Sequence, residues 1–220
     1  MADVYGYSLY PNNDTARYSD PVSDAGVRRD TIAARRAAGA PDERARRRQL
    51  IVEAAVRVIE ESGTEAGLGA VADRAGLPRP HVYRHFTSKD DLDQAVARHA
   101  ARLLSAYIRP SLSAAGTPPE VIHGIIGRVL SWAVEHPNLY RFRARLRTAQ
   151  AVPELAEAAV ANLRAAGYRA QLPAYVVASV IGLVDAGIIW WFDHQEEVGV
   201  HQLNDWLAAQ VWRVVAEAVE

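Results

Sequence analysis

The twenty residues from Gly67 to Phe86 leave this chain little freedom in how its first half folds. They read Gly-Leu-Gly-Ala-Val-Ala-Asp-Arg-Ala-Gly-Leu-Pro-Arg-Pro-His-Val-Tyr-Arg-His-Phe. Leu68, Val71, Ala72 and Ala75 recur at three- and four-residue spacing and predict the buried side of one short helix. Gly76 admits the backbone turn that ends it. Pro78 and Pro80 stand at the start of a second helix, where the first N–H groups have no intrahelical acceptor in any case. Val82 and Phe86, four apart, give that helix its inward side. Ser88 then caps a further helix, with Asp91 three residues on as a short form of the capping box. Two short helices joined by a tight glycine-containing turn make a helix-turn-helix, whose second helix enters the DNA major groove. Arg79, His81, Tyr83, Arg84, His85 and Lys89 crowd the second helix and the start of the next, and each can hydrogen-bond a phosphate or a base edge.

Charge is distributed to match. The net charge of −1 over 220 residues conceals an asymmetry. Residues 28–102 hold 15 basic and 11 acidic side chains, while residues 1–27 are net −3 and residues 103–220 net −2. The positive part is the helix-turn-helix and the segment before it, as expected of a surface that meets an anionic polymer. Arg44, Arg46, Arg47 and Arg48 either touch phosphate or form an ordinary solvated face. With no cysteine, disulfides and thiolate metal sites are excluded. The N-terminus lacks the apolar run of a signal peptide, and no stretch reaches the roughly 20 uncharged apolar residues of a membrane span. The longest apolar segment, Ala174 to Phe192, contains Asp185 and reads as a buried helix. These features predict a cytoplasmic protein with no membrane contact.

Residues 1–42 read as a flexible tail. Met1 to Asp24 is polar and without sustained period, and a partial helix over 28–40 is interrupted at Gly39-Ala40-Pro41. Arg28, Arg29, Arg35 and Arg36 would either follow DNA into the minor groove or have no role. A first firm helix spans about 42–62, a helix-turn-helix domain occupies 43–93 (its motif 67–86), and an all-helical region fills 94–220. The fourth helix should stop at about Ile108, before Pro110. Later segments are expected at 118–135, 138–148, 153–166, 172–195 and 203–219. Strand alternation is absent throughout, so the fold class is all-α.

The order of a basic helix, Leu68-x-x-Val71-Ala72-x-x-Ala75-Gly76-Leu77-Pro78, Val82-Tyr83-Arg84-His85-Phe86 and Ser88-Lys89-x-x-Leu92 resembles the tetracycline-repressor (TetR) family of transcriptional regulators. The specific match covers about residues 44–104. The resemblance implies an N-terminal three-helix DNA-reading head, joined by a fourth helix to a C-terminal ligand-binding, dimer-forming body. It makes 79–85 the recognition helix, with Tyr83, His85 and Lys89 on phosphate and Arg79, His81 and Arg84 near base edges or backbone. It also implies a double-stranded operator of pseudo-palindromic form, a homodimer, and a small-molecule effector that releases the protein from DNA. The chain departs from the family pattern in three places. Gly67 stands where a hydroxyl residue is usual, Pro78 replaces a serine cap, and Pro80-His81 replaces a smaller pair.

In the body, Ala178, Gly182, Ala186 and Trp190 lie four apart, and Ser179, Leu183, Gly187 and Trp191 form the adjacent row. Small residues let another helix approach closely, and the tryptophans add large apolar area. With Leu203, Trp206, Leu207, Val211, Val214 and Val215 of the last helix, they predict an interface of two helices from each subunit. Tyr107, His123, Trp132, Tyr140, Phe142 and Leu146 are candidate lining for a ligand pocket, and would serve a plain core equally well. His194, Glu197 and His201 have metal-ligand spacing, but Gly199 breaks the helix among them, so neither metal nor cofactor is expected. The body lacks a nucleophile with a neighbouring base, and also a phosphate-cradling glycine loop. A regulator is the leading function. A non-specific nucleoid-type DNA binder and a helical enzyme are its rivals.

Overall fold

In this computed structural model the described residues are 22–63, 67–112, 114–146, 152–168 and 172–219, with side chains from 42 onward except 152–155. Among them the order is α1 (Val22–Ser62), α2 (Leu68–Ala75), α3 (Arg79–His85), α4 (Lys89–Leu112), α5 (Pro118–Glu135), α6 (Pro137–Leu146), α7 (Val152–Ala165), α8 (Ala174–Phe192) and α9 (Val200–Val219). There is no strand among them, in agreement with the all-α expectation. The chain divides into two units, Met1–Arg44 and Ala45–Glu220, and the helix-turn-helix and the helical body both lie in the second.

Two boundaries differ from expectation. The α1 helix runs through Gly39-Ala40-Pro41, where a break is expected from the sequence. Ala33, Ala34, Ala37 and Ala38, with the arginines between them, are strong helix formers, and the flanking turns outweigh one missing proline donor. Residues 1–21 of the expected tail, and the side chains of Arg28, Arg29, Arg35 and Arg36, lie outside the described residues. The α4 helix likewise continues past Pro110 to Leu112. The missing donor leaves the carbonyl of Ala106 without a helical partner, and Ala106 is exposed to water that can supply one.

The turn between α2 and α3 forms as its sequence dictates. Gly76 takes φ +65°, its N–H donates to Asp73 O at 3.2 Å, and the N–H of Leu77 donates to Ala72 O at 3.0 Å. This left-handed cap satisfies the last carbonyls of α2 and reverses the chain within two residues. The core is continuous from head to body. Ile51, Ala54, Val58, Val71, Val82, Phe86 and Leu92 fill the head, and Val96, Ala100, Leu104 and Ile108 carry it along α4 into the body. The α4 helix packs on α5, α6 and α7, while α5, α8 and α9 pack on one another.

The α8 helix is long and apolar enough to cross a membrane by length and composition alone. Only one side of it turns inward: Val176, Val177, Val184, Ile188 and Trp191 are buried. The expectation of a buried helix is thus met on one side of α8 within one chain. Tyr175 is 72% exposed and Trp190 46%.

Candidate nucleic-acid interface and interior cavity

Arg48 fixes the recognition helix from behind. Its guanidinium lies 4.0 Å from the centroid of the Phe86 ring, donates to the carbonyl oxygen of His85, and donates to Asp91 Oδ1 at 2.9 Å. One α1 residue therefore grips the end of α3 and the start of α4. Asp91 Oδ2 accepts from the N–H of Thr87 at 3.1 Å, and Ser88 Oγ accepts from the N–H of Asp91 at 3.1 Å. The Ser88 half of the expected capping box thus forms, and the return contact of the Asp91 carboxylate falls on Thr87 instead of Ser88. The Arg48 hydrogen bond, then that of the Thr87 N–H, holds the Asp91 carboxyl below its ordinary range. Arg48, a candidate for phosphate contact, is taken up by the fold instead.

With Val82 and Phe86 inside at 1% exposure each, α3 turns its other residues out. Tyr83 is 57% exposed, Arg79, Pro80 and Arg84 are exposed, and His81 and His85 are half-buried. Arg44, Arg46 and Arg47 on α1 are exposed, as is Gly67, which caps α2 without a side-chain hydrogen bond. Pro78 caps α3, its carbonyl accepting from the N–H of His81 at 2.8 Å. Lys89 Nζ pairs with Asp93 Oδ2 at 2.6 Å, one turn on. Arg79 behaves differently from its neighbours. Its guanidinium occupies the space a Cβ would need at Gly69, so it lies back against α2. The surface gathers hydrogen-bond donors on and beside one short helix, which suits a phosphate backbone and base edges.

The body holds a partly open cavity of about 190 Å³. Its walls come from α4, α5, α6, α7, α8 and α9, among them Leu104, Ile125, Arg143, Ala159, Val180 and Val215. Polar lining is confined, among the described residues, to Ser105, Asn162, Arg143 and Asp185. Arg143 Nη2 and the hydroxyl of Tyr140 (the latter at 2.7 Å) both donate to Asp185 Oδ1. Burial and the neighbouring Asp185 charge push the Tyr140 phenol well above its ordinary range, so it remains a donor.

Residues 51–96 match the family described as bacterial regulatory proteins, tetR family. The head, over these residues, is similar to the DNA-binding head of that family. The transcriptional activator FasR of Mycolicibacterium smegmatis is 41% identical over 61 residues, 27% of this chain and 28% of FasR. The transcriptional repressor LfrR of the same organism is 40% identical over 65 residues, 30% of this chain and 34% of LfrR. The chain therefore matches about a third or less of these curated relatives' length. The likeness of fold extends further. A tetR-family structure from Shewanella sp. PV-4 superposes with TM-score 0.60 at 20% identity, covering 76% of this chain and 96% of that one. The structure of LfrR in complex with proflavine superposes with TM-score 0.50 at 24% identity, covering 79% and 98%.

The body residues are placed differently from expectation. None of the six candidate pocket residues lines the cavity. Trp132, Tyr140 and Phe142 are core, at 3%, 0% and 0% exposure, with Trp132 and Tyr140 in ring contact. Tyr107 carries the guanidinium of Arg128 over its ring, Leu146 packs on the edge of the core, and exposed His123 meets Asp205 and Asn204 at 2.8 and 2.9 Å. The large flat rings pack tilted and edge-on against one another, and the void opens where branched aliphatics and alanines face one another. The overlooked signal is ionic. Asp185 within an apolar run, and Arg143 in the last turn of α6, are a charge pair that only an interior partner explains.

The expected interface rows divide likewise. Ala178, Ala186, Trp190 and Trp206 are exposed, and Gly182 and Leu183 half-buried. Trp191, Val211 and Val215 turn into the protomer's own core, and a Cβ on Gly187 would stand 3.0 Å from Leu207 Cδ2 of the same chain. Adjacent rows on one helix point about 100° apart, and they part at their C-terminal ends, where Trp190 is exposed and Trp191 buried, while Ser179 is exposed like Ala178. His194 stacks on Trp190 at 4.1 Å and donates to its carbonyl, and among the described residues no three carboxylate or imidazole groups are grouped to hold a metal.

Proposed function

We propose that this protein is a sequence-specific, effector-controlled transcriptional regulator that binds double-stranded DNA as a homodimer, in the cytoplasm where that DNA lies. The observation that carries the reading is the outward set of Tyr83, Arg84, Pro80 and His81 on a helix whose inner side is locked by Phe86 and Arg48. The family match over residues 51–96 supports it. The exposed apolar row Tyr175, Ala178, Ala186 and Trp190, with Trp206 of α9, supports pairing of two copies. Two heads so paired would address half-sites about one helical turn apart, or a multiple.

The cavity supplies the effector site. LfrR, solved with proflavine, gives a precedent for a bound small molecule on this fold. An effector shifts DNA binding only if it binds one head spacing better than another. The α4 helix, running from the head at Leu92 to the cavity wall at Leu104 and Ile108, is the mechanical link. FasR is an activator and LfrR a repressor, and repression is the form we propose. The test is a gel-shift titration against the promoter beside the protein's own gene, with random DNA as competitor. Discrete retarded species that survive competitor support the reading. Retardation of all DNA alike points to the nucleoid-type rival, and no retardation at low salt removes the proposal.

A further inference from the structure

The N-terminal part of α1 carries a charge pattern that the head does not account for. By helical register Arg28, Arg29, Arg35 and Arg36 share one side of α1. Arg28 and Arg35, like Arg29 and Arg36, are seven residues apart, close to two turns, and the four span about a third of the circumference. Asp30, Ala34, Ala37 and Ala38 fall on the opposite side. Asp24, four residues before Arg28, is spaced to pair with it. Arg29, Arg35 and Arg36 have no acidic residue three or four positions away in either direction. A helix face that is merely solvated intersperses acids with bases, and this one does not. A helix that lies on a membrane buries Leu, Phe or Trp opposite its cations, and here that side is mostly alanine.

What such a row meets depends on what it is tied to. Arg36 stands eight residues before Arg44, about 12 Å of helix or at most about 28 Å of extended chain. Arg44, Arg46 and Arg47 are exposed and are candidates for phosphate contact. A duplex held by the head is therefore within reach of residues 28–36, and a weak ionic contact becomes an intramolecular one. Contact with phosphate needs neither a particular base nor one fixed geometry, since each phosphate neutralised gains by releasing its counterion. On the reading of this chain as a DNA-binding regulator, we propose that the arginine side of residues 28–36 is a second DNA-contact element, taking duplex phosphates in addition to those held by the head.

The test is fluorescence anisotropy of the full chain on a mixed-sequence duplex of about 40 base pairs, over salt from about 50 to 200 mM. Wild type is compared with the fourfold variant Arg28→Gln, Arg29→Gln, Arg35→Gln, Arg36→Gln, glutamine being close to arginine in helix propensity. The variant is expected to bind at least about tenfold more weakly at physiological salt, and its slope of log affinity against log salt should fall by about two or more. Lysine at the same four positions is expected to stay within about threefold of wild type, because a point charge suffices for phosphate. An unchanged slope in the glutamine variant, whether affinity is kept or lost, would overturn the proposal, as would an equal loss with lysine. Should the fourfold variant fail to fold, the pairs Arg28→Gln, Arg29→Gln and Arg35→Gln, Arg36→Gln are each expected to lower the slope by about one. Wild type that binds no duplex at low salt counts against the regulator itself, and wild type that binds no better than the variant counts against this element alone.

Discussion

Arg48 of α1 and Asp91 of α4 stand 2.9 Å apart, bridging two helices that the recognition helix separates in sequence. Because the same guanidinium covers the Phe86 ring and caps His85, the pair sets where α3 lies. Arg48→Ala should destabilise the protein by about 1–2 kcal/mol, a modest figure because the pair is partly solvated. Thermal unfolding would show this as a fall of a few degrees, accompanied by weaker binding to DNA. Asp91 has a depressed pKa, so its contribution is present above the ordinary carboxylate range and lost as pH falls through the depressed value. In Arg48→Ala that acid loss should be smaller and should be complete at a higher pH. An unchanged acid limb would mean that Thr87 alone holds Asp91.

Gly69 and Arg79 give a prediction in which stability and function move in opposite directions. A methyl at position 69 would collide with the Arg79 guanidinium, the movable end of a flexible side chain. Gly69→Ala should therefore raise helix stability by up to about 1 kcal/mol. It should also drive Arg79 off α2 and change the ratio of operator to random-DNA affinity. A higher melting temperature with an unchanged ratio would show that Arg79 reads no base. Arg79→Ala, by comparison, should narrow the ratio.

The head is legible in the sequence because each of its devices is local. Gly76 needs a positive φ, Val82 and Phe86 are one turn apart, and Ser88 caps the helix that begins at Lys89. Legibility ends where an outcome depends on residues far apart in the chain. Nothing near Arg48 shows that it will reach Asp91, and nothing near Arg79 shows that Gly69 will receive it. In the body, periodicity identifies the helices to within a few residues but leaves their rotation unknown. Ala178 and Ser179 begin similar rows, and only packing turns Gly187 towards Leu207 and Trp191 into the core while Ser179 stays exposed. The cavity escapes the sequence for the same reason: aromatics mark bulk, and a void lies where bulk is lacking.

Lys89 reaches phosphate only by giving up or sharing Asp93, its partner at 2.6 Å. Asp93→Asn should therefore tighten binding to operator and random DNA alike, by a few-fold. Lys89→Ala should weaken both alike and reduce the salt slope by about one. Tyr83→Phe, at a side chain 57% exposed, should act in the same uniform way. If Asp93→Asn discriminates between sequences, the Lys89 end of α4 lies near bases and not on the backbone.

The dimer prediction concerns the outward row. Ala186→Glu and Trp206→Glu place charge on exposed positions of α8 and α9 and should yield folded monomers in sedimentation velocity. Gly187→Ala should act inside the protomer, since Leu207 must give by a few tenths of an ångström. It should shift the melting temperature of monomer and dimer preparations equally. Dimers of undiminished stability in both glutamate variants would move the interface elsewhere.

Glu60 ties the end of α1 to the body: its carboxylate accepts from His136 Nδ1 at 3.1 Å, and its carbonyl accepts from Asn138 Nδ2 at 3.0 Å. Burial raises the carboxyl pKa, against the opposing pull of His136. A raised carboxyl contributes stability that is present below its unfolded value and lost as pH rises through the folded one. At neutral pH the ionised group is therefore a net cost, made worse by its place in the last turn of a helix, where the dipole disfavours negative charge. Glu60→Gln keeps an acceptor for His136 and removes the charge. Its melting temperature should equal or exceed wild type at pH 7–8, and the difference should shrink towards pH 4, where wild-type Glu60 is protonated. A loss of several degrees at pH 7 would show that the ionic form of the His136 contact, and not its hydrogen bond, holds head to body.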